Sequence, residues 1–160
     1  MKEIQLTQGK VALVDDEDYE WLNQWKWTYN QAGKTMRAVR HTHNGHHYKG
    51  CVFMHRLILD APAELDVDHI DGNGLNNQRA NIRICTRSQN FMNRMKQPGG
   101  TSMYKGVRWL KKSGKWEARI KTADEHMSLG RYEDEKDAAR AYNEAALKHF
   151  GEYARINEIS

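Results

Sequence analysis

Cysteine is scarce in this 160-residue chain: Cys51 and Cys85 are the whole supply, and neither sits in a Cys-x-x-Cys pair. A disulfide framework and a cysteine zinc site are therefore excluded as sources of stability, and a reducing, intracellular setting fits. Long apolar runs are missing as well. No stretch approaches ~18 apolar residues, and the segment from Met1 to Trp21 has no apolar core of signal length. The expected protein is soluble, unexported and without a membrane partner.

Acidic residues are nearly absent from one long stretch. Between Thr86 and Lys121 there are ten Lys or Arg against a single acid, Glu117, so a modest net charge of +4 conceals a segment of +9 and a remainder of −5. Lys and Arg gathered in this way release counterions from phosphates, which makes a nucleic acid the expected partner. The length suits one medium domain or two small ones, and short elements separated by polar gaps favour two.

From Met1 to about Leu59, short apolar runs (Val11 to Val14, Cys51 to Met54) alternate with turn signals at Gln31-Ala32-Gly33 and at the hairpin dipeptide Asn44-Gly45, which predicts a small β-rich unit. Asp15-Asp16-Glu17-Asp18 ahead of Tyr19, Trp21, Leu22 and Trp25 reads as the acidic, capped start of a short helix whose aromatics join the core. His41, His43, His46 and His47 flank the hairpin turn. They could collect a metal, but contacts to DNA, or none, are the expected use. Gln97-Pro98-Gly99-Gly100-Thr101-Ser102 reads as a linker. Beyond it, Tyr104 to Tyr132 predicts three short strands and Glu135 to Phe150 one amphipathic helix ended by Gly151. The expected divisions are 1–53, 54–97, a linker over 98–102, and 103–160.

The centre of the chain, LDVDHIDGNGLNNQRANIRICTRSQNFMNR, patterns as strand, polar loop, strand and helix. Asp68 and His69 fall at the end of the first strand, Asn81 just before the second, and Asn90 in the helix, which Thr86 or Ser88 could cap. Such a ββα hairpin can gather an acid, an imidazole and an amide around one cation. Hydrolysis of a phosphodiester needs a base for water, a cation on the phosphate, and a scaffold that aligns them. Histidine is the natural base near neutral pH. Asp68 and the Asn90 carbonyl are hard oxygen ligands that suit one Mg²⁺ or Mn²⁺ better than zinc.

Asp68-His69-Ile70-Asp71-Gly72-Asn73, then Asn81-Ile82-Arg83, then Asn90, at spacings of 12 and 9 residues from His69 to Asn81 to Asn90, resembles the HNH endonuclease signature. It is similar to the phage homing-endonuclease branch, in which the last His is Asn. The resemblance implies that His69 is the general base, that Asp68 and Asn90 bind the metal, and that Asn81 orients the base and braces the loop. The lead-in Met54-His55-Arg56-Leu57-Ile58 also resembles that branch and gives His55 a supporting role.

In the C-terminal part, Lys115 to Lys121 alternates, with Trp116, Ala118 and Ile120 on one face and Glu117, Arg119 and Lys121 on the other. Ala138, Ala141, Tyr142, Ala145 and Ala146 at helical spacing let a helix lie close to the sheet. Such a sheet can place its polar face in the major groove, where Arg reads guanine and Lys neutralises phosphate. The stretches YKGVRW, SGKWEARI and LGRYEDEKDAARAYNEAALKHFGEYARIN resemble the AP2/ERF DNA-binding domain. By position this implies DNA contacts from Lys105, Arg108, Trp109, Arg119 and Lys121; Ser128 departs from the family, which usually has a base-stacking Trp there.

Taken together, these readings predict an α+β chain: a β-rich N-terminal unit with a ββα-metal nuclease hairpin, then a three-stranded antiparallel sheet with a helix. The expected activity is site-specific hydrolysis of double-stranded DNA by a monomeric enzyme similar to homing enzymes. The rival is a non-catalytic DNA-binding regulator. An RNA-binding protein fits less well, because no stacking-platform motif is present.

Overall fold

A computed structural model describes residues 1–33, 35–44, 47–96, 98–122 and 125–160. The chain folds into two compact units, Met1–Arg87 and Ser88–Ser160, each mixing helices with small antiparallel sheets. Gly45, His46 and Gln97, from the expected hairpin turn and linker, lie outside the described residues. So do the side chains of His43 and His47.

In the first unit, β1 (Lys2–Gln5) pairs with β2 (Val11–Val14), and helix α1 (Asp16–Leu22) follows. Its first turn carries Asp16, Glu17 and Asp18, acids that favour the positive end of the helix dipole. Asp15 stands at the N-cap, but its carboxylate makes no cap bond there; it accepts from Arg79 N–H at 2.8 Å and from Gln78 Nε2 at 3.1 Å. Strands β3 (Thr28–Ala32), β4 (Thr35–Asn44) and β5 (His47–Phe53) form a meander, and helix α2 (Met54–Ile58) leaves directly from β5. A hairpin of β6 (Asp66–His69) and β7 (Ile82–Cys85) completes the unit.

The core of this unit is small: Ile4, Ala12, Val14, Leu22, Trp27, Ala38 and Met54 are almost wholly buried. Trp27 carries its indole N–H into that core and donates to Leu22 O at 2.9 Å, so this buried donor is paired. Trp21 and Trp25 pack at the margin.

The long loop between β6 and β7 is fastened to the N-terminal strands by backbone bonds. Leu13 N–H donates to Leu75 O, and Asn77 N–H to Leu13 O, both at 2.8 Å. Asp18, only 1% exposed, is held by the Arg79 guanidinium through two bonds of 2.8 Å and by the Trp21 indole. A buried carboxylate survives only when paired in this way. At Gly74, a Cβ atom would lie 1.9 Å from Met36 O, so glycine lets this loop pass against β4.

The second unit takes in helix α3 (Arg87–Met92) from Ser88 onward. The Pro98-Gly99-Gly100 turn lies within this unit, and beyond it Ser102 Oγ and Met103 N–H both donate to Glu135. Strands β8 (Val107–Leu110), β9 (Lys115–Lys121) and β10 (His126–Tyr132) make the antiparallel sheet β10-β9-β8. Helix α4 (Glu135–Phe150) starts at an Asp134 cap that accepts from Lys136 N–H, bears Lys148 and His149 in its last turn, and stops at Gly151 with φ of 54°. Its buried face is Ala138, Ala139, Tyr142, Ala146 and Phe150. Small residues allow close approach: a Cβ at Gly106 would lie 2.0 Å from the Tyr142 ring.

Candidate functional site

The β6–β7 hairpin brings Asp68, His69 and Asn81 to one end of the first unit. His69 faces Ile82 across the ladder, and Ile70 N–H donates to Asn81 O at 2.8 Å where the strands part. Asn90 belongs to α3, in the second unit.

His69 Nε2 lies 3.3 Å from Asn77 Oδ1. Asn77 is fully buried and its Nδ2 donates to Leu75 O at 3.2 Å, which commits its other atom to accepting. The proton of the neutral imidazole therefore sits on Nε2, and the lone pair on Nδ1. Burial pushes the His69 pKa below the ordinary imidazole value; the Asn77 bond and the charges of Asp71 and Asp68 offset part of that. The result is a neutral ring at physiological pH, the form a proton acceptor needs.

Asn81 does not reach the ring through a side-chain bond of this kind. Its amide holds the loop instead: Oδ1 accepts from Asp71 N–H at 3.0 Å, while Nδ2 donates to Asp71 Oδ1 at 3.0 Å and Asn76 O at 2.8 Å. Burial alone would raise the Asp71 carboxyl, but bonds from Asn73 N–H, Asn76 and Asn81 outweigh it and hold the pKa low. The side-chain bonds of Asn81 are thus to the loop, and the amide beside His69 is that of Asn77. Sequence reasoning passed over Asn77 because Asn76 and Asn77 look like ordinary turn residues.

Asp68 is buried, and both Nε and Nη2 of Arg83 donate to its Oδ2, at 3.1 and 2.9 Å. The strand register places Arg83 directly opposite Asp68, which alternation in the sequence could have revealed. Among the described residues no group of three or more His, Cys, Asp or Glu gathers. Asp68 offers a hard carboxylate oxygen of the kind that suits a divalent cation.

Behind His69 stands His55, 7% exposed, its ring edge-on at 4.9 Å. Its Nδ1 has no hydrogen-bond partner among the described residues. Burial, with the positive surroundings of His69, Arg37 and Arg56, pushes its pKa down to about 3. It remains neutral and packs against the His69 ring.

In the second unit the face of the sheet away from α4 is basic. Arg108 pairs across the ladder with Glu117, and Arg119 with Ser128. Glu117, expected on an exposed face, is 7% exposed because it is enclosed by its partners: Arg108 Nε donates at 2.6 Å and Ser128 Oγ at 3.3 Å. Arg119 and Lys121 are exposed. A bulge between Ser128 and Gly130 lets Leu129 turn inward and brings Arg131 opposite Glu117, adding a base that the sequence reading did not include. Trp109 is 36% exposed, its ring 5.0 Å from Trp116. Lys105 is turned inward: its Nζ donates to Met92 O at 2.6 Å, and burial lowers its pKa to about 8.

Residues 60–92 match the model of the HNH endonuclease family. Over 153 residues the chain is 29% identical to an HNH endonuclease of Acanthamoeba polyphaga mimivirus, covering 94% of this chain and 76% of that protein. It is also 36% identical over 88 residues to an ethylene-responsive transcription factor of Medicago truncatula, covering 54% of this chain and 32% of the factor. To an APETALA2-like protein of Oryza sativa subsp. indica the identity is 39% over 57 residues, or 36% of this chain and 13% of that protein. Similarity to HNH endonucleases and similarity to AP2/ERF-type proteins are therefore joined in one chain. No helix among the described residues is long and apolar enough to cross a membrane.

Proposed function

We propose that this chain is a DNA endonuclease that hydrolyses a phosphodiester with a histidine base and one divalent cation, and that its AP2-like unit holds the DNA. The single observation that carries the reading is His69: half-buried, its pKa lowered by desolvation, its Nε2 3.3 Å from Asn77 Oδ1, and the Asp68 carboxylate one residue away. In this role Nδ1 of His69 takes the proton of the attacking water. Asn81 and Asn77 hold the loop and the ring in register, so little reorganisation is needed when the substrate arrives.

HNH nucleases generally use a divalent metal. Asp68 would hold it, with Asn90 the second ligand expected from the sequence, and such a cation would neutralise phosphate charge and stabilise the departing oxygen. Arg83 orients the Asp68 carboxylate. Arg108, Arg119 and Lys121 would contact double-stranded DNA, joined by Arg131, with Trp109 at the margin and Lys105 serving mainly as an internal brace.

A DNA-binding regulator without catalysis is the second reading, and one observation favours it: Asp68 is already engaged by an arginine. One experiment separates the two. A supercoiled plasmid carrying the coding sequence and its flanks is incubated with the protein and Mg²⁺ or Mn²⁺, with EDTA, and with His69→Ala. The endonuclease reading expects metal-dependent nicks or breaks that EDTA stops, and a loss of about a hundredfold or more in His69→Ala with DNA affinity retained. Binding without any cutting in either metal favours the regulator.

A further inference from the structure

Arg37 is a cation that the nuclease reading leaves without a task. It lies on β4, in the N-terminal meander, yet its side chain runs beside the loop that carries the base: a Cβ at Gly74 would stand 3.9 Å from Arg37 Cγ. From its guanidinium a line of rings leads to His69. The guanidinium lies over Phe53, 5.4 Å from the centroid; Phe53 lies 5.7 Å from the ring of His55; His55 lies 4.9 Å from His69. The charge is close enough to be felt at both imidazoles.

Among the described residues this guanidinium makes no hydrogen bond or ion pair. The contrast with its neighbours is informative: Arg79 is spent on Asp18, Arg83 on Asp68, and Arg56 on the carbonyls of Ala61, Pro62 and Leu65. A guanidinium costs little to keep over an aromatic ring, and its planar fork matches the non-bridging oxygens of a phosphate. We propose that Arg37 is a phosphate-binding residue of the active site, donating to the non-bridging oxygens of the phosphodiester that the water deprotonated by His69 attacks. The inference rests on the nuclease reading of His69. It also gives the N-terminal meander a purpose, because β4 presents this cation and Gly74 lets the active-site loop lie against it.

The test uses full-length protein and two readouts. The first is the rate of plasmid nicking at saturating protein with Mn²⁺. Arg37→Ala and Arg37→Gln should be slower by about tenfold or more, and Arg37→Lys should recover part of the loss. The second needs no cleavage: binding of a fluorescein-labelled duplex from the same plasmid, measured in EDTA at several salt concentrations. Loss of one phosphate contact should reduce the slope of log K against log salt by about 0.9. Circular dichroism melting of each variant shows that it is folded. Lys26→Gln, which removes an exposed charge from the same unit, should leave both readouts unchanged. Wild-type rates in Arg37→Ala, an unchanged salt slope, or an equal loss in Lys26→Gln would each overturn the proposal. If wild-type protein leaves the plasmid intact, the nuclease reading falls and the salt slope alone decides whether Arg37 holds phosphate.

Discussion

At the scale of the residue, the active-site face is governed by where protons sit. In the proposed endonuclease His69 must be neutral to accept a proton, and burial has moved its pKa below the usual 6.5. The acid limb of cleavage should therefore lie below pH 6.5, with activity retained where an ordinary histidine would already be charged; a single-turnover pH profile checks this. A limb above 6.5 would mean that another group is the base. His55 makes a separate prediction, about stability. Its folded pKa is about 3 against an ordinary 6.5, so between these values the unfolded chain binds a proton that the folded chain refuses. Unfolding then takes up a proton, and stability should fall as pH drops through that window, by at most ~1.4 kcal/mol per pH unit from this group. His55→Phe should flatten the curve over the same range, as read by denaturant titrations at stepped pH.

At the scale of the element, close packing against glycine decides which substitutions the fold tolerates. Gly106 has a φ of 77°, and a methyl group there would meet Tyr142 at 2.0 Å and Arg119 O at 2.8 Å. The strand edge and α4 would have to separate. Gly106→Ala should cost about 2–4 kcal/mol, combining strain at positive φ with overpacking, and should lower the melting temperature of the second unit. Gly114, in the turn between β8 and β9, also has positive φ but open space around it. Gly114→Ala should cost only about 1 kcal/mol, the conformational part alone. Equal losses at the two sites would show that contact with Tyr142 contributes nothing.

At the scale of the whole molecule, charge and core divide between two units. The second has its own core, built from Tyr104, Val107, Ala118, Ala138 and Ala139, and its own basic sheet face. A fragment from Ser88 to Ser160 should fold and bind DNA with an affinity that falls steeply with salt. Within it, Arg108→Ala or Arg119→Ala should cost about 1–3 kcal/mol and relax preference at one base position if either reads a guanine. Lys121→Ala and Arg131→Ala should weaken binding to all sequences alike. Lys105→Ala should act on folding rather than on binding, since its ammonium is spent on Met92 O. Competition with random duplex in a mobility-shift assay separates these outcomes. A folded fragment with no preference among sequences would transfer recognition to the first unit.

The chain of residues settles by itself what depends on local pattern. Alternation in Lys115 to Lys121 marked a half-buried strand, alanine spacing with Gly151 at its end marked α4, and the order Asp68, His69, Asn81 and Asn90 marked the candidate chemistry. These signals are short in range, because a strand face, a helix cap or a β-hairpin brings together residues close in sequence. Contacts across long loops obey no such period. That Asn77 rather than Asn81 touches His69, that Arg79 reaches back to Asp18, and that Glu117 is enclosed between Arg108 and Ser128 follow from register, from the bulge at β10 and from the docking of the loop on β2. Arg37 is the clearest case. Nothing in its neighbours sets it apart from Arg40, three residues on, which stacks on Trp25; only the pairing of β4 with β5, and the passage of the loop over β4 at Gly74, set its side chain over Phe53 and against that loop.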